Sequence, residues 1–347
     1  MKNQPMTSME RVLTTLSHKE PDCVPLFLML TMHGAKELGI SIKEYFSKSE
    51  NVIEGQLRLQ KKFLNDCFCP FFYASLEIEA FGGGVIYSED GPVNAGQPII
   101  DKIEKITQMQ PPKISEAKIL HKALDAIGRL KEKAQDEIPI IGVAMSPFSL
   151  PVMQMGFEKY LEIMLFRKDL FDHLMNINEE FCVNWANAQL EAGATAICYF
   201  DPVSSSTIIS RDQYENIGLK IAKRTLARIK GATATHFASG RCLPIADLLP
   251  GSGTAAIGVS ADENIMELKQ AFANKLALIG NLNGVEMRRW SPEEATAITR
   301  ETIRKAAPGG GFILSDNHGE IPFQVPDDVL IAISETVRSH GRYPIVD

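Results

Sequence analysis

Short runs of continuously apolar residues recur along the chain, and each is followed by a stretch with helical periodicity. The runs are IPIIGVAMSPF (138–148), ATAICYFDP (194–202), ATATHFAS (232–239), TAAIGVS (254–260), LALIGNLNG (276–284) and GFILSDNHG (311–319). The helical patterns that follow them cover 156–190, 211–229, 243–249, 263–273, 292–306 and 326–340. Uninterrupted apolar strands alternating with amphipathic helices predict a parallel sheet covered on its outer face. Upstream, CVPLFLML (23–30) and FCPFFYAS (68–75) supply two further strands. Eight such strands close a (β/α)8 TIM-like barrel. An open doubly wound sheet is the alternative, but no G-x-G-x-x-G or P-loop lysine motif follows any strand. The expectation is a single α/β barrel domain over 1–347.

Between 79 and 112 the pattern changes. Glycines, prolines and short alternating segments in EAFGGGVIYSEDGPVNAGQPIIDKIEKITQMQPP predict a β-hairpin insertion, placed to cap one end of the barrel.

Composition narrows the partners. The chain has 347 residues, 45% hydrophobic and 23% charged, with a net charge of −7 and its basic residues dispersed. Without a basic stripe, nucleic acid is not an expected partner. No apolar run reaches the ~20 residues that span a bilayer, so no membrane is expected. The amino terminus lacks the apolar run of a secretory signal, and six cysteines without framework spacing suit reduced thiols in a cytoplasmic protein.

In a barrel of this kind the chemistry sits at the carboxyl ends of the strands. Those ends carry Ser146, Asp201, His236, Asn281, Asn283, Asp316, Asn317 and His318. Any one of these could be an ordinary loop or capping residue, yet separate strands converge on one mouth. Asp201, His236, Asp316 and His318 are therefore the candidate catalytic residues. A catalytic zinc needs about three protein ligands and an open position. His236 and His318 could supply two imidazoles. Cys242, beyond a glycine, either folds back as a thiolate third ligand or packs in the first turn of the next helix.

Taken in order, several segments resemble the uroporphyrinogen decarboxylase superfamily, and within it the cobamide-dependent methyltransferase branch. They are DCVP (22–25), EIEAFG (77–82), SPF (146–148), the run from Ala192 through Asp201-Pro202, His236, GVSADE (258–263), GNL (280–282), HGEIP (318–322) and HGRYP (340–344). The resemblance implies a barrel with its active site in the carboxyl-end cleft, and a homodimer. Decarboxylases of this superfamily hold an octa-anionic substrate with arginines in an amino-terminal loop. The corresponding stretch here, FLMLTMHGA (27–35), has none, and burying carboxylates there without partners would be prohibitive. The methyltransferase branch moves methyl groups between a small molecule and the cobalt of a corrinoid (cobalamin) carried on a partner protein. Its thiol-using members hold zinc with a His-x-Cys pair and a later cysteine. Here Ala238 replaces the first cysteine, and His318 stands near the second.

These departures favour an O- or N-methyl donor, whose poor leaving group needs zinc or an acid for assistance. Apolar residues available for a small methylated substrate are Met29, Met32, Phe72, Tyr73, Phe148, Met153, Met155 and Tyr199. The alternatives are a methylcobamide:thiol methyltransferase, a uroporphyrinogen decarboxylase-like lyase, and a catalytically inactive binding subunit.

Overall fold

The segment Ala232–His236 illustrates how the strands form. Its threonines suit a pleated surface, its alanines allow close approach, and parallel neighbours pair with it on both sides. A computed structural model describes residues 5–345. Met1–Gln4 and Val346–Asp347, counted within the expected 1–347 domain, lie outside the described residues. Seven parallel strands form one curled sheet: β1 (Leu26–Phe27), β4 (Ile141–Met145), β5 (Ala196–Phe200), β6 (Ala232–His236), β7 (Ala256–Gly258), β8 (Ala277–Leu282) and β9 (Phe312–Asp316). Their spatial order is β1-β9-β8-β7-β6-β5-β4.

The gap between β1 and β4 is closed by residues 66–68. The Asp66 amide donates to the Leu26 carbonyl at 2.8 Å, that of Phe68 to Pro139 at 2.8 Å, and that of Ile141 to Phe68 at 2.9 Å. The fold is thus the expected α/β barrel, but its second stave is shorter than FCPFFYAS and begins earlier. Prolines at 25 and 70, which lack an N–H, help explain why the first two staves are so brief.

The helices follow the periodicity with local breaks. The stretch 156–190 becomes Pro151–Met155, Phe157–Phe166 and Lys168–Ala192, with Gly156 turning the chain at φ 83°. Residues 243–252 form two 3-10 turns rather than a helix. Ser291, Pro292 and Glu294 start the helix Pro292–Ala306 with a capping box and a proline in its first turn.

The insertion is a small antiparallel hairpin, β2 (Val85–Ile86) against β3 (Asn94–Ala95), followed by a 3-10 helix over Ile103–Gln108. The hairpin is pinned over the carboxyl end of the barrel. Ser75 Oγ donates to the Val93 carbonyl at 2.8 Å, and Gln324 Nε2 to that of Asp90 at 2.7 Å. At the opposite end the helix Ser8–Leu16 lies across the barrel floor. It is held by Arg11, which bonds Asp22 at 2.8 Å and the buried Asp66 at 2.6 Å. Among the described residues, no helix is long and apolar enough to cross a membrane.

Candidate active site

His236 ends β6, and its ring stacks on Phe200, the last residue of β5, with centroids 5.3 Å apart and planes 13° from parallel. The ring is 3% exposed. Behind it β7 must offer a glycine, because a Cβ on Gly258 would stand 2.3 Å from His236 Cδ2. Nδ1 accepts the Ala238 amide hydrogen at 3.0 Å, while Nε2 has no hydrogen-bond partner among the described residues. Burial, with a smaller contribution from His318, lowers its pKa to about 4. The imidazole is therefore neutral near pH 7. Its Nδ1 lone pair is occupied, so the proton resides on Nε2.

The segment after β9 folds across the mouth. Asp316 is fully buried, and its Oδ2 accepts the amides of His318 at 2.9 Å and Gly319 at 3.0 Å. Its Oδ1 has no partner among the described residues. Burial raises this carboxyl to about 6 against the pull of those amides. Gly319, at φ 86°, lies so close to Phe200 that a Cβ would be 2.5 Å from that ring and 3.4 Å from His236 Cε1. Only a glycine lets the β9 loop reach the ends of β5 and β6. His236, Asp316 and His318 thereby share one region of the mouth. His318 is half-buried, which lowers its pKa. Its Nδ1 is 2.6 Å from the Asn317 amide nitrogen when that amide is oriented to satisfy its neighbours.

Asp201 sits apart in a cradle of serines. It is 1% exposed, and its Oδ1 accepts Ser146 Oγ at 2.5 Å and Ser149 Oγ at 2.7 Å. Its amide continues the β5–β6 ladder to the His236 carbonyl at 2.8 Å. Burial raises its pKa although the serines oppose this. In this arrangement Asp201 braces the loops after β4 and β5.

The expected zinc trio is not assembled. Cys242 is fully buried in an apolar cluster with Phe237, Ile245 and Leu249, and burial pushes its thiol well above its ordinary pKa. Its amide and that of Leu243 donate to the Glu263 carboxylate at 2.9 and 2.7 Å, which fixes the chain there as the start of a 3-10 turn. The packing alternative for Cys242 holds, and the ligand assignment is corrected. His236 also receives the Ala238 amide hydrogen at Nδ1, leaving Nε2–H where a metal ligand needs a lone pair. Among the described residues no group of three or more His, Cys, Asp or Glu side chains is arranged to hold a metal ion. These residues do not fit zinc.

Three groups, Glu77 and His33 buried and Glu320 half-buried, escaped the reading of strand ends because they lie beyond them. Glu320 accepts the Thr31 hydroxyl, and burial and Asp316 push it up to about 7. It lines a cleft of about 370 Å³ together with Tyr73, Ser75, hairpin residues 92–96, Val152 and Met153. The HGEIP segment contained this residue, but its proximity to Thr31, 289 positions earlier, had no local signature. Glu77 accepts the Met145 amide at 2.8 Å, and burial raises it to about 8. Among the described residues neither ring nitrogen of the buried His33 has a partner, and burial lowers it to about 3. Of the eight apolar residues expected at the mouth, Tyr73 and Met153 line the cleft. Phe72, Phe148 and Tyr199 pack in the helix-facing core, and Met29 points into the barrel.

A parallel barrel with buried acids and a histidine gathered at its carboxyl end has the form of an enzyme. The chain matches the family described as uroporphyrinogen decarboxylase (URO-D) over residues 7–340 and belongs to it. Similar curated relatives include the uroporphyrinogen decarboxylase of Nitrosospira multiformis, 27% identical over 76% of this chain and 73% of the relative. That of Thioalkalivibrio sulfidiphilus is 23% identical over 94% and 96%. Among solved structures, a methyltransferase from Methanosarcina mazei superposes with a TM-score of 0.81 at 18% identity, covering 96% of this chain and 99% of that one. A B12-independent methionine synthase from Shewanella gives 0.54 at 15% identity, over 86% and 89%. These superpositions establish the shared fold.

Proposed function

We propose that the protein is a corrinoid-dependent methyltransferase that takes a methyl group from a small O- or N-methyl donor, with an acid of the barrel mouth assisting the leaving heteroatom. The observation that carries this reading is Glu320, a half-buried carboxyl facing a cleft whose lining, among the described residues, includes no lysine or arginine. Near neutral pH a carboxyl held at about 7 is substantially protonated, and it can deliver its proton to an oxygen or nitrogen as the methyl bond breaks. Thr31 orients its Oε1. Tyr73, Val152 and Met153 offer the substrate an apolar wall beside the acid. The neutral His236 supplies an Nε2–H donor, not a base. The corrinoid, carried on a partner protein, supplies the cobalt that accepts the methyl, and no residue of this chain is assigned to hold it.

A decarboxylase reading follows from the names of the curated relatives. The cleft argues against it, because a polyanionic substrate would meet an acid instead of cations there. The nearby Lys36 is already engaged with the Val325 carbonyl at 3.2 Å and lies over the Phe323 ring. The deciding experiment mixes the protein with cob(I)alamin and a panel of methyl ethers, methylamines and thiols, following methylcobalamin by absorbance. Turnover with an ether or amine, reduced in Glu320→Gln, is expected. No methyl transfer from any donor, or enzymatic conversion of uroporphyrinogen to coproporphyrinogen, would overturn the proposal.

A further inference from the structure

Barrels of this class normally fill their bore with layers of bulky branched side chains. Here β6 and β7 turn Ala234 and Ala256 inward, Cys198 of β5 stands beside Ala234, Cys67 is also in the lining, and a cavity of about 120 Å³ remains. It runs from the barrel floor, beside Leu13, Ala232 and Ala255, up to His236 and Gly258. Ala232 to His236 spans four residue steps, about 13 Å of strand. The lower rim reaches solvent, since Leu13 is 52% exposed and Ala232 and Ala255 are exposed as well.

Among the described residues the bore has no acidic or basic side chain apart from the imidazole at its upper end. Buried water requires two to four polar partners, and an apolar void without them stays dry. An engineered cavity of about 150 Å³ lined by such side chains takes up benzene. Thr195, Thr233 and Thr235 are also in the lining, but its buried polar atom left without a partner among the described residues is Nε2 of His236, a side chain 3% exposed beside Gly258.

We propose that the bore is a binding site for one small, neutral, slender molecule, apolar along its length and carrying a single hydrogen-bond acceptor that meets His236 Nε2–H. Entry is from the amino-terminal end, opposite the cleft that holds Glu320. A charged guest is excluded, because nothing in the bore would replace its hydration. The upper end of this site shares His236 Nε2–H with the methyl-transfer reading, but its test uses no corrinoid and reads binding alone.

The test is calorimetry, supported by ligand-observed NMR, with toluene, anisole and benzoate as probes on the full-length protein. Toluene and anisole are expected to bind, anisole about five-fold more tightly because its oxygen takes the orphan N–H, while benzoate does not. Ala256→Leu fills the bore and should abolish both interactions. Ala234→Val is the milder filling variant if leucine impairs folding. His236→Phe keeps the ring stacked on Phe200 and should erase the preference for anisole. Absence of binding by both neutral probes, binding that survives both filled variants, or equal binding of benzoate would each overturn the assignment.

Discussion

Gly258→Ala tests the packing that sets His236. The added Cβ would lie 2.3 Å from Cδ2, 2.8 Å from Cγ and 2.9 Å from Nε2, where ordinary contact begins near 3.4 Å. The imidazole must retreat by about 1.1 Å, the difference between the first and last of these distances. Phe200 is stacked on one face and Gly319 closes on Cε1, so the ring has little room. Overpacking of this kind costs about 1–3 kcal/mol, and a strained Ala238–Nδ1 bond adds about 1 kcal/mol. A displacement of ~1 Å at a reacting group lowers the rate by about 100-fold. Urea unfolding and methyl transfer to cob(I)alamin read the two effects separately. Gly251→Ala, whose Cβ would have its nearest neighbour 3.7 Å away at Lys223 Nζ, is the control and should stay within about 0.5 kcal/mol of wild type. If Gly258→Ala matched wild type in both assays, the packing of His236 against β7 would be refuted. A destabilised variant with an undiminished rate would remove His236 from the chemistry.

Glu77→Gln should flatten the dependence of stability on pH. The folded carboxyl is raised from 4.5 to about 8, so its contribution is fully present below 4.5 and is lost as pH rises through about 8. The glutamine variant, which keeps an oxygen for the Met145 amide, should overtake wild type at alkaline pH by a few kcal/mol, on the order of the shift at ~1.4 kcal/mol per unit. Equal pH profiles in urea titrations would contradict this. Cys242→Ser places a hydroxyl in an apolar cluster and should cost about 1–3 kcal/mol, with the metal content of the purified protein unchanged; loss of a bound metal in the variant would restore Cys242 as a ligand. Arg11→Ala leaves the 1%-exposed Asp66 side chain with Ser8, the Leu26 amide and Arg338 but without its shortest ion pair. It should destabilise by about 3 kcal/mol and increase proteolysis near residues 8–16. An unchanged urea midpoint would show that the floor helix is held by its apolar face alone.

The architecture was legible because its cause is local and repetitive. Continuous apolar runs such as LALIG and GFILS can be buried on both faces only inside a covered parallel sheet, and the intervening periodicity names the covering helices. Strand ends likewise marked His236, Asp316 and His318 as neighbours of one mouth. The first two staves were overextended because residues flanking Pro25 and Pro70 are apolar for packing, not for sheet pairing.

Tertiary structure decided what those residues can do. The amide of Ala238, at φ 50°, turns back onto His236 Nδ1 and selects a tautomer that donates from Nε2, which residue identity alone leaves open. Cys242 follows His236 by only six positions, yet Glu263 holds it in the helix layer, because two backbone amides at a turn need an acceptor. Glu320 and Thr31 meet across 289 positions, and it is burial, not residue type, that raises this carboxyl to about 7. Apolar periodicity specifies which faces leave water. Protonation and ligand geometry depend on the few polar atoms enclosed with them, and those neighbours come from distant parts of the chain.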